Sequence, residues 1–409
     1  MGRWALGRVI ALVHACAPAL VWGVILPWGF TSASSAAASD GIRIHLAGKD
    51  KIWTTTLDPG DASFSPLRVA AESGAVALAR SPDGRWLAAT SRRANSEAEA
   101  PDGMVTLYRV DRETGECRTA GTQATEGRTA CFVSFDRTSR HLFVANFRQS
   151  TRDSRGSVVR LPIFGSPAAG ASLSSNRIGS LGEVDWRGEH AGSGPMRPRQ
   201  AASHPHSVVV SPDNRLVVVG DLGIDRAVAY RFDTDTGDMD RVGDSGFRSE
   251  AGSGPRHVAF HPTGKYLFVI HENTGRIDSF STGESTFGRR VGTAPPRGGA
   301  SADLEMHPSG KWLFGSNRKG DSVMVVAVDE ETGDLTHVQL VEGLGSGPRE
   351  LEVTPNGRFL LVANTGSQEL VALRVDERAG RLRETGQTVR VEGLRAAASW
   401  LPKKSPRHK

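Results

Sequence analysis

Apolar residues in this chain fall into short runs that end in polar turns, and the same arrangement returns along its length. His206-Ser-Val-Val-Val-Ser is followed by Leu216-Val-Val-Val-Gly and then by Ala227-Val-Ala-Tyr-Arg-Phe-Asp. Runs this short, rich in β-branched residues and bounded by Pro, Gly, Asn and Asp, predict strands and not helices. Between the first two runs of each set stands a Pro-x-Gly turn: Pro82-Asp-Gly-Arg-Trp-Leu, Pro262-Thr-Gly-Lys-Tyr-Leu, Pro308-Ser-Gly-Lys-Trp-Leu and Pro355-Asn-Gly-Arg-Phe-Leu. Pro212-Asp-Asn-Arg-Leu-Val and Arg137-Thr-Ser-Arg-His-Leu are weaker copies. Proline presets φ and glycine accepts a positive φ, so each copy joins two strands tightly. A second turn follows the third run, as Asp111-Arg-Glu-Thr-Gly, Asp233-Thr-Asp-Thr-Gly, Asp329-Glu-Glu-Thr-Gly and Asp376-Glu-Arg-Ala-Gly, and leads to a fourth strand.

The copies recur at about 47 residues, with insertions in the early repeats, and a repeat of four strands is a propeller blade. Six anchors are visible in the sequence. A seventh blade is expected to combine an early strand, at residues 42–46 or 52–57, with the C-terminal segment 387–400. The predicted fold is therefore all-β, a seven-bladed β-propeller whose ring closes by pairing N- and C-terminal strands, which leaves no open sheet edge.

Composition narrows the function classes. Lys and Arg number 50 against 45 Asp and Glu, a formal charge of +5, and 38% of residues are hydrophobic. That balance excludes a disordered chain and does not suggest a nucleic-acid partner. Arg3 and Arg8 precede an apolar stretch over residues 9–30 and a small-residue stretch containing Ala36-Ala37-Ala38. Residues 1–38 thus read as a signal peptide, or alternatively as a membrane anchor. Either reading puts the propeller, residues 40–402, outside the cytoplasm, periplasmic or secreted, with membrane contact only if the leader is uncut. The basic tail 403–409 is expected to be loose. Cys117 and Cys131 remain after the leader, and the sequence leaves open a bridge or two buried thiols. A closed ring needs no partner for its stability, so a monomer is expected.

If the first strand of each blade runs into the Pro-x-Gly turn and the second returns, the start of one and the end of the other share a rim. The starts supply His204, His206, Arg256, His257, Asp303 and Arg349; the ends supply Asn146, Asp221, Glu272, Arg318 and Asn364. Such groups beside apolar strands either pair or face channel water. Asp221, Asn146 and Asn364 also suit turn capping. His261 and His307 lie beside the Pro-x-Gly turns on the opposite rim and read as structural. Pooled, the rim describes an anion-binding acid/base site. Ser207 forms no Gly-x-Ser-x-Gly elbow and no Cys/His metal-ligand cluster occurs, so no metal or cofactor is expected.

The ordered set Gly179-Ser-Leu-Gly-Glu, His190-Ala-Gly-Ser-Gly-Pro195, Arg199-Gln200, His204-Pro-His-Ser207, Gly220-Asp-Leu-Gly-Ile-Asp225, Gly254-Pro-Arg-His257, Glu272, Ser316-Asn-Arg318 and Pro348-Arg349 resembles the lactonase-type seven-bladed propellers. That is the family of bacterial 6-phosphogluconolactonase and fungal carboxymuconate cyclase. The resemblance implies a metal-independent enzyme acting on a small anionic lactone, with His206, Arg256, Glu272 and Arg318 as catalytic residues. His204, Arg349, Asp221, His257 and Asn146 are then expected to bind substrate. On chemical grounds Glu272 or His206 activates a water, and Arg256, Arg318 and Arg349 hold the substrate anion and the developing oxyanion. A non-catalytic binding propeller and a lactone-forming cycloisomerase are the alternative readings. Three departures from the family pattern bear on the pocket: Phe147 for a usual Tyr, an Arg/Ser-rich loop over 148–157, and Ser91-Arg-Arg for Asn-Glu.

Overall fold

The computed structural model describes residues 41–93, 100–148, 155–165, 179–243, 246–283, 287–295 and 298–401. The expected leader and the basic tail lie outside the described residues. Seven antiparallel sheets form the ring. From the innermost strand outward, blade 1 contains Ala77–Arg80, Trp86–Arg92, Gly103–Val110 and Cys117–Ala124. Blade 2 contains Arg128–Phe135, His141–Arg148 and Ser157–Phe164, with Ser180–Leu181 and Trp186–Glu189 sharing its outer edge. Blade 3 contains Pro205–Val210, Leu216–Asp221 and Arg226–Phe232, with two short outer strands. Blade 4 contains Pro255–Phe260, Tyr266–His271, Ile277–Ser281 and Arg290–Ala294. Blade 5 contains Ser301–Met306, Trp312–Asn317, Ser322–Val328 and Leu335–Glu342. Blade 6 contains Pro348–Val353, Phe359–Asn364, Glu369–Asp376 and Arg381–Arg390. Each innermost strand packs against the next around the ring.

Blade 7 closes the circle. Ala396–Trp400 is its inner strand and pairs with Ile42–Ala47, which pairs with Ile52–Leu57 and then Arg68–Ala71. The closing segment is shorter than the expected 387–400. Residues 387–390 continue the outer strand of blade 6, where exposure alternates as it does on a surface strand, whereas Ala396–Trp400 is buried throughout. Gly393, at φ 66°, turns the chain between them.

The near-continuous apolar runs follow from the architecture. Every blade is covered on both faces, so both side-chain directions of a strand are buried. Apolar clusters fill the gaps between successive blades: Val133, Leu142 and Leu107 between blades 1 and 2, Val217, Val219 and Phe143 between blades 2 and 3, and Leu361, Ile44 and Leu370 between blades 6 and 7.

The Pro-x-Gly turns sit on the rim away from the candidate site. Gly84, Gly264, Gly310 and Gly357 take φ of 68–80°, and Asn214 and Ser139 take φ 64° and 59° in the two weaker copies, so all six are the same turn. His261 donates from Nε2 to the Gly310 carbonyl of the next blade at 3.1 Å, and His307 does the same to Gly357 at 2.9 Å. These histidines bind blade to blade. A Cβ added at Gly357 would lie 2.6 Å from His307 Nε2, whereas one added at Gly343, with similar φ, meets nothing within 4 Å. Both substitutions carry the left-handed strain of about 1–2 kcal/mol. Gly357→Ala is expected to cost about 1 kcal/mol more than Gly343→Ala through the disturbed hydrogen bond. Urea unfolding midpoints check this, and equal losses would contradict it.

Candidate active site

In blades 2, 3, 4 and 6 the inner strand begins with a β-bulge. Pairing with the second strand shifts by one residue between Ala130 and Phe132, Pro205 and Ser207, Pro255 and His257, and Pro348 and Glu350. The extra residues are Cys131, His206, Arg256 and Arg349. A bulge re-aims the side chain it inserts, and in three of these blades it follows a proline, which cannot donate to the ladder. The recurring Pro-His and Pro-Arg dipeptides are therefore the local signal that places His206, Arg256 and Arg349 at one mouth.

The second strands supply the other column, and its register decides which residues reach that mouth. Aligned from the Pro-x-Gly turn, Arg92, Phe147, Glu272 and Arg318 occupy one position in blades 1, 2, 4 and 5. Asn146, Asp221, Asn317 and Asn364 stand one residue earlier. One step along a strand turns the side chain to the other face. Asn146 accepts from Thr125 Oγ1 at 2.7 Å and donates to the Thr125 carbonyl at 2.8 Å. Asn364 donates to the Leu344 carbonyl at 2.6 Å. Asp221 accepts from the amides of His204 and Gly223, from Ser203 Oγ, and from His190 Nδ1 at 2.7 Å. Asp221 and Asn146 are fully buried. Contrary to the sequence expectation, they brace the loops beneath the mouth and do not line it.

At the mouth lies a cavity of about 460 Å³, within the usual range for small-molecule sites. Among the described residues, Arg92, Arg128, Arg148, Arg199, Arg318 and Arg349 line it together with Thr129, Cys131, Phe147 and His206. Phe147 carries Arg199 over its ring at 4.7 Å and stacks on His204 at 4.4 Å. His204 therefore backs the aromatic wall, donating from Nδ1 to the Phe147 carbonyl at 3.0 Å.

Glu272 sits at the centre of the positive charge. Its Oε1 accepts from Arg199 Nε at 2.7 Å, while Oε2 accepts from Arg256 Nε at 3.1 Å and pairs with Arg318 Nη2 at 3.2 Å. Burial raises its pKa, but the Arg199 hydrogen bond and the charges of Arg256, Arg199 and Arg318 outweigh burial and hold it below the usual carboxylate range. Arg256 is almost wholly buried beneath the cavity and also donates to the Ala302 carbonyl. Burial first, and Arg349 next, push its pKa down to about 9, so it stays charged at neutral pH.

His206 is buried, and its Nδ1 has no hydrogen-bond partner. Burial, then the charge of Arg256, holds its pKa well below 6.5, so the imidazole is neutral. Its ring lies 5.3 Å from that of His257. His257 donates from Nδ1 to Asp303 at 2.5 Å, and Asp303 also accepts from the Leu351 amide. This pair lies one layer down the channel, outside the cavity lining. Cys117 and Cys131 are free thiols, and burial pushes them up to about 12 and about 11.

Of the expected site residues, the structure brings His206, Arg256, Glu272, Arg318 and Arg349 together, with His204 and His257 behind them. Arg199 was not among the expected site residues because it lies in a loop before blade 3, outside the strand repeat. Arg92 was legible, since it stands at the position of Arg318 in its own blade.

Comparison with known proteins adds to this geometry. Residues 46–396 match the family described as lactonase, 7-bladed beta-propeller. A 6-phosphogluconolactonase of Bacillus subtilis is 26% identical over 310 residues, covering 74% of this chain and 80% of the relative. One of Formosa agariphila is 26% identical over 279 residues, covering 66% and 73%. The periplasmic gluconolactonase of Pseudomonas aeruginosa superposes with a TM-score of 0.75 at 26% identity, covering 88% of this chain and 99% of that one. With seven closed blades, one arginine-lined mouth and a match along most of its length, the chain belongs to the lactonase seven-bladed β-propeller family.

Proposed function

We propose that the protein hydrolyses an anionic sugar-type or carboxylated lactone, with His206 as the base that activates water. The observation that carries this reading is a buried imidazole, its Nδ1 without a hydrogen-bond partner, lining a cavity walled by arginines. Both Glu272 oxygens are already engaged by guanidiniums, so its work is to align Arg199, Arg256 and Arg318. His206 takes a proton from water as the water oxygen attacks the lactone carbonyl. The oxyanion that forms is stabilised by the positive charges of Arg318 and Arg349 on the cavity wall. Collapse breaks the ring C–O bond, and the imidazolium returns the proton to the alkoxide, leaving a hydroxy acid. An anionic substrate also offsets the arginine field, which raises the basicity of His206 when it is needed.

The leader read from residues 1–38 and the likeness to a periplasmic gluconolactonase support action outside the cytoplasm. The test is hydrolysis of a panel of sugar lactones by the purified protein, followed across pH. Because His206 is held well below 6.5 in the free enzyme, kcat/KM is expected to be flat over about pH 6–8 and to fall only at lower pH. The acid limb of kcat is expected at higher pH than that of kcat/KM, since bound anion raises the base. An acid limb of kcat/KM near 6.5, or hydrolysis no faster than buffer, would contradict the reading.

A further inference from the structure

The proposed reaction uses one nitrogen of His206 and leaves the other, together with the histidine one layer below, without a task. His206 Nδ1 is buried and lacks a partner, so Nε2 is the nitrogen that reaches the cavity. His257, on the inner strand of the next blade, is 5% exposed and presents the converse case. Its Nδ1 donates to Asp303 Oδ1 at 2.5 Å, and its Nε2 is buried without a partner. The two rings stand 5.3 Å apart, centre to centre, with their planes inclined at 54°. That spacing suits an N–H···N bond of about 3 Å between facing nitrogens, each about 1.1 Å from its ring centre. Asp303 is itself fixed, since Oδ2 accepts from the Leu351 amide of blade 6 at 2.7 Å and Oδ1 from the Leu304 amide at 2.8 Å. Phe132 of blade 2 meets the His257 ring edge-on at 5.1 Å.

Burial first, then the Arg256 charge, push His257 down to about 4 and hold His206 well below 6.5. Each neutral ring therefore carries one N–H and one lone pair. The bond to the Asp303 carboxylate requires the His257 proton on Nδ1, which leaves the lone pair on Nε2. We propose that His257, set by Asp303, is a positioning residue whose Nε2 lone pair holds His206 in its Nδ1–H form. A proton on His206 Nε2 instead would set two buried lone pairs against each other. The Nδ1–H form puts the basic lone pair on Nε2, toward the cavity and its water. When Nε2 takes the proton of the attacking water, the Nδ1–H of the imidazolium becomes a stronger donor toward His257, and the Asp303 charge offsets the new positive charge. No proton passes from His206 to His257 in this step; the one taken at Nε2 goes on to the alkoxide. The role in hydrolysis rests on the proposed function, whereas the tautomer does not.

Nitrogen-15 spectra of the histidine-labelled protein at neutral pH read the tautomer without any substrate, the His206 signals being identified by their loss in His206→Gln. Wild type is expected to show His206 protonated at Nδ1 and bare at Nε2. His257→Phe removes the acceptor and is expected to mix the two forms and to lower kcat by about 10–10²-fold, with KM changed by about threefold or less. His257→Gln, whose side-chain oxygen accepts the same proton, is expected to keep the Nδ1–H form and to lose about threefold or less in kcat. Thermal melts confirm folding, and His257→Leu replaces the phenylalanine variant if that one does not fold. An Nε2–H form of His206 in wild type, a tautomer that His257→Phe leaves unmoved, or a loss carried by KM and not by kcat overturns the proposal. A tautomer that moves with His257 in a protein that opens no lactone keeps the positioning and removes the lactonase reading. One that moves while kcat stays unchanged keeps the positioning and takes the base away from His206.

Discussion

Arg256→Ala is expected to lower stability by about 3–5 kcal/mol and to remove lactone hydrolysis, the largest combined effect of any single change at the mouth. The guanidinium is 1% exposed and joins the Glu272 carboxylate to the Ala302 carbonyl of the next blade. Truncation leaves an acceptor without its donor and an acid short of one of its three cations, inside a packed ring. It also frees Glu272 to swing away from Arg199 and Arg318, so the surviving arginines lose their alignment. Arg349→Ala makes the informative control, because Arg349 lines the cavity and is only half-buried. It is expected to weaken activity with a stability loss of about 1 kcal/mol or less. Denaturant titrations of the two variants separate them; similar losses of stability would show that Arg256 does not anchor the site.

The second large effect falls on rate and not on stability. His206→Gln is expected to cut kcat by about 10²–10⁴-fold, the range for losing a general base. The melting temperature should stay within about 3 °C of wild type, because the imidazole Nδ1 has no partner to lose and glutamine fills a similar space. Steady-state kinetics on whichever lactone the wild type opens supplies the measurement. A variant retaining more than a third of wild-type kcat would move the base elsewhere, and the His257–Asp303 pair below would be the next group to examine.

The ring was legible in the sequence because one turn, repeated at nearly constant spacing, fixes both the strands on either side and the period. Even the degenerate copies at Arg137 and Pro212 obey it, since Ser139 and Asn214 accept the same positive φ as glycine. The closing strand is shorter than its sequence suggests because residues 387–390 have strand-forming composition that does not tell an outer edge from an inner wall. The mouth was legible in part. Bulged His206, Arg256 and Arg349 follow prolines that mark their register. Asn146 and Asp221 share a strand end with the column of Glu272 and Arg318 but precede it by one residue, and a strand allows no such tolerance. Arg199 belongs to no repeat, so periodicity carries no information about it; only the carboxylate it reaches, 2.7 Å away on another blade, explains its place.

Everything in the functional account requires that an acid product sits in the mouth between His206 and the arginines. A crystal structure of the protein soaked with glucarate measures this directly. The account predicts one carboxylate within about 3.2 Å of Arg318 or Arg349, close to the His206 ring. Glucarate held at the opposite rim, beside His261 and His307, or an empty mouth at saturating concentration would contradict it.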